Sequence, residues 1–122
     1  MRTRTLIPAL MAALFVLVAT ATGALAHAGL IAANPSEGSV AATAPAAVLL
    51  TFTEPVSPIA FSLVGVGGAP SVLAATSGDG ANVTVALPDR LAGGSYLFSW
   101  RVTSEDGHPV HGTIGFAIGA AS

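Results

Sequence analysis

The chain has 122 residues, of which four are cationic, six are acidic and none is cysteine. This length is enough for one small domain, and the missing cysteines exclude both a disulfide framework and a thiolate metal site. All four cationic residues are arginines, so the chain lacks the basic surface that binds nucleic-acid phosphates.

The N-terminal residues have the three parts of a secretory signal peptide. Arg2 and Arg4 precede an apolar run over residues 6–18, and the small residues at 24–26 are typical of a cleavage site. The alternative, a retained membrane anchor, is disfavoured because the run is short for a spanning helix. The sequence therefore predicts a cleaved signal peptide over 1–26 and a mature domain over 27–122, located in the periplasm or secreted. No second apolar stretch is long enough to cross a bilayer, so the mature domain is predicted not to span the membrane.

The mature domain consists of short apolar segments separated by glycine- and proline-containing turns. Their alternation of apolar and polar residues predicts strands, and the sequence between residues 77 and 80, Ser-Gly-Asp-Gly, predicts a turn. The predicted strands cover residues 27–33, 48–53, 59–66, 72–75, 83–87, 95–103 and 112–118. About seven strands without a helix predict an all-β fold, an immunoglobulin-like antiparallel β-sandwich or Greek-key barrel.

Alternation also predicts which side chains face the core, because successive residues of a strand point to opposite faces. The inward set is Val48, Leu50, Phe52, Phe61, Leu63, Val83, Val85, Leu87, Tyr96, Phe98, Trp100, Val102, Ile114, Phe116 and Ile118. The aromatic residues among them are predicted to be core rather than a platform for a ligand. Glu54 has the same inward parity, at the end of the strand that contains Phe52.

Residues 105–112, which read Glu-Asp-Gly-His-Pro-Val-His-Gly, concentrate the groups that bind metals. They are predicted to connect the last two strands, at one end of the sandwich, where loops carry function. Asp106 and His108 are two residues apart and would point to the same side, whereas His111 has the opposite parity. Taken alone, such a pair is more typical of a solvated loop than of a site.

His27 adds to this pair if cleavage makes it the first residue. An N-terminal histidine offers its α-amine and a ring nitrogen together as a bidentate chelate. With Asp106 and His108 the set has three nitrogens and one oxygen, which suits tetragonal Cu(II) better than tetrahedral zinc or oxygen-ligated calcium. The alternative is that a histidine follows the cleavage site by chance.

Five segments match the pattern of one known family. They are the leader that ends at Ala26-His27, the Asn34-Pro35 turn with Gly38, residues 50–56 (Leu-Thr-Phe-Thr-Glu-Pro-Val), residues 96–102, and residues 104–112. Through them the whole mature chain resembles the CopC copper-resistance proteins, small extracytoplasmic β-sandwich domains that bind copper.

The resemblance implies a Cu(II) site in which His27 contributes its amine and imidazole, while Asp106 and His108 complete the ligand set. It also implies that Glu54 lies near the copper, as an axial ligand or as a residue that orients a ligand. The alternative for Glu54 is an ordinary carboxylate at a strand end.

Two features limit what the resemblance implies. His111 matches no copper ligand of the family and is predicted to be an exposed surface residue. Some relatives bind Cu(I) at a separate methionine-rich site, but both methionines, Met1 and Met11, lie in the predicted leader. The resemblance therefore supports Cu(II) alone.

The sequence thus predicts an extracytoplasmic Cu(II)-binding protein that buffers or carries copper for resistance or homeostasis and catalyses no reaction. Its predicted partners are the copper ion and a copper-handling protein such as a membrane copper transporter, and not nucleic acid. One alternative is a copper-dependent oxidative enzyme with a histidine brace, similar to polysaccharide monooxygenases. The other is a metal-free immunoglobulin-like interaction module.

Overall fold

A computed structural model describes residues 28–119. The predicted signal peptide and His27 therefore lie outside the described residues. The strands are β1 (Leu30–Asn34), β2 (Val40–Ala41), β3 (Ala47–Phe52), β4 (Val56–Gly65), β5 (Ser71–Leu73), β6 (Ala75–Asp79), β7 (Asn82–Ala86), β8 (Gly94–Ser104) and β9 (Pro109–Ile118). The predicted all-β fold is confirmed.

The strands form two sheets that enclose one core. The first sheet has the order β1-β3-β7-β6 and the second has the order β2-β9-β8-β4-β5. Neighbouring strands are antiparallel, apart from the short β2, which pairs with β9 in parallel. No helix within residues 28–119 could span a membrane.

The core contains the side chains that alternation predicts. Of the fifteen predicted inward residues, all but Tyr96 are buried, and Tyr96 packs against this core while its hydroxyl donates to Ala92 O at 2.6 Å. Phe61 stacks on Phe98 with ring centroids 6.2 Å apart, and Tyr96 stacks on Phe116 at 5.9 Å. The aromatic residues are therefore core, as predicted.

The turn predicted at residues 77–80 is wrong. Ser77, Gly78 and Asp79 belong to β6 and pair with Thr84, Val83 and Asn82 of β7. The reversal needs only the two residues 80–81, because Gly80 has a φ of 61° that suits a tight hairpin. Because of β6 and the two-residue β2, the number of strands among the described residues is larger than the predicted seven.

Two strands begin three residues earlier than predicted, and both contain a proline. β4 begins at Val56 rather than at residue 59, with an irregular register between Pro58 and Ala60. β9 begins at Pro109 rather than at residue 112, and Pro109 is its first paired residue. Proline is compatible with both places because a bulge and a strand's first residue need no ladder donor there. The connection between β8 and β9 is therefore only residues 105–108.

Candidate metal centre

The turn between β8 and β9 is built on Ser104, which is only 4% exposed. Ser104 N–H donates to His108 O at 2.9 Å, and Gly107 N–H donates to Ser104 O at 3.0 Å. The Ser104 hydroxyl oxygen also lies 3.1 Å from His108 O, so its one hydrogen is shared between His108 O and the Asp106 carboxylate. Gly107 has a φ of 87°, a conformation that glycine adopts without strain. These bonds hold residues 104–108 in one compact turn.

The same turn brings Asp106 and His108 together. Asp106 Oδ1 accepts hydrogen bonds from the Ser104 hydroxyl and, at 3.2 Å, from His108 N–H. Asp106 Oδ2 lies 3.0 Å from His108 Nδ1. The side chains remain 34% and 64% exposed, respectively, so both are accessible to an ion from solvent. The predicted convergence of this carboxylate and this imidazole is present in the fold.

These contacts change the acidity of Asp106. The hydrogen bond from the Ser104 hydroxyl, followed by the interaction with the His108 side chain, lowers the pKa of Asp106 from 3.8 to about 2. Partial removal from water opposes this shift but does not cancel it. Asp106 is therefore a carboxylate throughout the neutral and mildly acidic range.

Glu54 lies at the same end of the sandwich, in the connection between β3 and β4. Two residues later, Val56 pairs with Ser104 at the end of β8. Glu54 Oε1 is buried and has no hydrogen-bond donor among the side chains that the structure describes, which are those of residues 28–75 and 80–119. A buried carboxylate oxygen of this kind is stabilised by a donor or a cation. Its predicted inward parity is thus confirmed.

The first described residues are attached to this end as well. Ala28 is 4% exposed, and Gly29 N–H donates to Thr53 Oγ1 at 2.8 Å. Thr53 N–H donates back to Gly29 O, also at 2.8 Å. The chain therefore enters the fold beside Thr53, the residue that precedes Glu54. The structure does not place His27 itself.

His111 lies away from this group of residues. It is an exposed residue of β9, opposite Arg101 of β8 and on the outer face of the five-stranded sheet. Among the side chains that the structure describes, those of residues 28–75 and 80–119, no three histidine, aspartate or glutamate residues are grouped closely enough to hold an ion.

Ser104 is the residue of this site that motif analysis missed. It shares the inward parity of Phe98, Trp100 and Val102, so its burial was readable from alternation. A small polar residue that continues an apolar stripe to the end of a strand is the signal that identifies it.

Comparison with known proteins identifies the family. The model of the CopC domain matches residues 30–119. The chain belongs to the CopC family. It is 33% identical over 105 residues to copper resistance protein C of Xanthomonas campestris pv. juglandis, covering 78% of this chain and 82% of that protein. It is also 35% identical over 102 residues to the copper transport protein CutJ of Bacillus subtilis (strain 168), covering 79% of this chain but 19% of CutJ.

Solved structures of CopC-family proteins have the same fold. CopC from Methylosinus trichosporium OB3b matches with a TM-score of 0.67 and 31% identity, covering 75% of this chain and 93% of that one. PcoC of Escherichia coli, a methionine-rich copper resistance protein, matches with a TM-score of 0.61 and 26% identity, covering 76% and 99%. The resemblance inferred from the sequence is therefore confirmed, and the family is one of copper-handling proteins rather than enzymes.

Proposed function

We propose that this CopC-family chain is an extracytoplasmic Cu(II)-binding protein that buffers or carries copper and thereby contributes to copper resistance. The names of its relatives support a role in copper resistance or transport. The observation that carries the proposal is the contact between Asp106 and His108, at the end of the sandwich where the chain enters the fold. This end offers a carboxylate and an imidazole to an ion and receives the N-terminal segment.

The proposed ligands are the α-amine and imidazole of His27, the carboxylate of Asp106 and the imidazole of His108. Three nitrogens and one oxygen form a donor set that suits Cu(II), which also heads the divalent affinity order for such ligands. Because the pKa of Asp106 is about 2, this carboxylate needs no deprotonation to bind a cation at neutral pH. The turn that contains Asp106 and His108 is held by Ser104, so little backbone ordering remains for the ion to induce.

Glu54 is proposed to support the same centre. Its buried Oε1 has no donor within the described part of the chain, so a nearby cation or a donor on a copper ligand would satisfy it. We assign Glu54 as an axial ligand or as the acceptor that orients a ligand. His111 is excluded from the proposed ligands because it lies on the outer face of β9.

The proposal depends on processing and on the protein's location. Cleavage after Ala26 would create the free amine of His27 and release residues 27–122 into the periplasm or the cell exterior. Residues 27–122 contain no methionine, which favours Cu(II) over Cu(I). We propose a membrane copper transporter as the partner, since CutJ is a copper transport protein with a CopC-like segment that is 19% of its length.

The test is a variant of the mature protein with one alanine added before His27. The extension moves the amine one residue away and breaks the chelate, so we expect Cu(II) affinity to fall by about 100-fold, equal to about 2.8 kcal/mol. An alanine added after Ser122 is the matched control and should leave affinity unchanged. Equal affinities for the N-terminally extended and unextended proteins would contradict the proposal, and a mature protein that binds no Cu(II) would favour a metal-free interaction module.

A further inference from the structure

Thr53 makes an unusual pair of bonds with Gly29. Leu30 pairs with Phe52, so Gly29 and Thr53 are the next opposed residues of the antiparallel β1–β3 ladder. In a regular ladder every second pair exchanges two backbone hydrogen bonds, and the bond from Thr53 N–H to Gly29 O makes this one of those pairs. Here Thr53 N–H donates to Gly29 O at 2.8 Å, but Gly29 N–H donates to the Thr53 side-chain hydroxyl, also at 2.8 Å. The hydroxyl has replaced the carbonyl as the acceptor.

Regular pairing is weak at this end of β1. The register shifts between Leu30 and Ala32, so the strand is irregular immediately after the Gly29–Thr53 pair. Ala28 is nevertheless 4% exposed, which shows that the chain is held against the domain before β1 begins. The Gly29 amide lies between buried Ala28 and the irregular start of β1, and the Thr53 hydroxyl is the side chain that holds it.

We infer that Thr53 is a positioning residue for the proposed copper centre: its hydroxyl fixes the chain at Gly29 and thereby restricts the backbone conformations open to the N-terminal chelate. This inference rests on the proposed function. The Gly29 amide is only two residues from His27, and Thr53 directly precedes Glu54, so this hydrogen bond joins the segment next to the proposed chelate to the segment that carries Glu54. A chelate whose backbone is ordered before the ion arrives loses less conformational entropy on binding.

The test compares three variants of the mature protein. Thr53→Val removes the hydroxyl and keeps the shape, and Thr53→Ser restores a hydroxyl. Thr51→Val is the matched control, because Thr51 lies two residues earlier, in β3, and its hydroxyl donates to Asn82 Oδ1 at 3.1 Å. The measurements are Cu(II) affinity by chelator competition, the Cu(II) EPR spectrum, and hydrogen exchange of the Gly29 amide in the metal-free protein.

We expect Thr53→Val to weaken Cu(II) binding by about tenfold, to alter the EPR parameters and to accelerate exchange of the Gly29 amide. Thr53→Ser should restore all three, and Thr51→Val should change none. Accelerated exchange in Thr53→Val with unchanged affinity and spectrum would overturn the inference, because the hydrogen bond between Gly29 and Thr53 would then support the fold and not copper binding. Unchanged exchange would also overturn it, because the hydroxyl would not hold the amide.

These outcomes separate this inference from the proposed function. If the N-terminal alanine extension weakens Cu(II) binding but Thr53→Val does not, the chelate stands and the role of Thr53 is wrong. If the extension has no effect, the chelate is wrong, and the role of Thr53 fails with it.

Discussion

Ser104 shows how one buried hydroxyl can set the chemistry of an exposed pair. Its backbone closes the β8–β9 turn, and its hydroxyl reaches both His108 O and the Asp106 carboxylate. Asp106 owes its low pKa first to this hydroxyl. Ser104 thus links the end of a core strand to the charge state of a proposed copper ligand.

Replacing Ser104 by alanine should raise the pKa of Asp106 from about 2 toward its ordinary 3.8, because the main hydrogen bond to the carboxylate is lost. NMR titration of the metal-free protein measures this shift. Ser99→Ala, which removes a hydroxyl that bonds to the Thr113 hydroxyl at 3.0 Å, is the control and should leave the pKa of Asp106 unchanged. A pKa that stays near 2 in Ser104→Ala would contradict this account.

The lowered pKa of Asp106 also determines in which direction pH changes the stability of the fold. The pKa of Asp106 is lower in the folded chain than its ordinary value, so its ionised contacts stabilise the fold above about pH 4. That stabilisation is lost as the pH falls from 3.8 to about 2. Because Asp106 lies at the surface, the effect on folding should be small.

Glu54 carries a buried carboxylate oxygen that has no hydrogen-bond donor among the described residues. An unsatisfied buried polar atom costs about 1–3 kcal/mol, so Glu54→Gln, which removes the charge, should leave the metal-free protein at least as stable. The same change should weaken Cu(II) binding by about 10–100-fold, if Glu54 contacts the ion or orients a ligand. Thermal melting and chelator competition measure the two effects.

Glu105→Gln is the matched control for Glu54, since Glu105 is an exposed carboxylate of the β8–β9 turn. It should leave both stability and affinity unchanged. Loss of stability in metal-free Glu54→Gln, combined with unchanged affinity, would show that Glu54 is an ordinary structural carboxylate.

Among the strands, β8 and β9 depend on the close approach of Trp100 and Gly112. These residues are direct partners in the ladder, and a Cβ at position 112 would overlap the indole ring. Glycine at 112 therefore lets the large ring cover its partner strand near the end of the sandwich that carries Asp106 and His108. The requirement is for space and not for an unusual φ.

Gly112→Ala should destabilise the domain by about 1–3 kcal/mol, the usual cost of overpacking, because the indole must move. Denaturant unfolding measures the change. Gly115→Ala is the matched control on β9, since a Cβ there meets Leu97 Cδ2 at an ordinary 3.5 Å, and it should cost much less. Equal stabilities of the two variants would contradict this packing argument.

Strand faces could be predicted from the sequence, but strand ends could not. Alternation along 95–103 identified Phe98, Trp100 and Val102 as core because burial on one face imposes a period of two. The predicted strands did not include Pro58 and Pro109, yet both residues lie in strands at places where no donor is required. Which places tolerate proline depends on the neighbouring strand, and this information is not local.

At the scale of the whole molecule, the fold gathers residues that are distant in sequence at one end of the sandwich. Gly29, Glu54 and Asp106 come together there because β1 pairs with β3, and β4 pairs with β8. The spacing of Asp106 and His108 predicted their convergence with each other. The burial of Glu54 Oε1 and the hydrogen bond from Gly29 to Thr53 depend on this pairing of strands. The sequence of residues 105–112 alone therefore did not predict them.

Copper binding should weaken steeply as the pH falls from 8 to 5. Amines and imidazoles must lose a proton to bind a metal, and they ordinarily titrate near pH 8 and 6.5, respectively. Asp106, with a pKa of about 2, should contribute only below about pH 4. Chelator competition across this range is the measurement, and a loss of affinity confined to pH values below 4 would show that carboxylates, rather than nitrogens, dominate the site.

The most direct test of the Cu(II) centre is EPR spectroscopy of the mature protein, with one equivalent of Cu(II) and an intact mass that confirms His27 as the first residue. The account predicts an axial spectrum with hyperfine structure from coordinated nitrogen, which the alanine extension before His27 should change. A spectrum indistinguishable from loosely bound aqueous Cu(II) would contradict it.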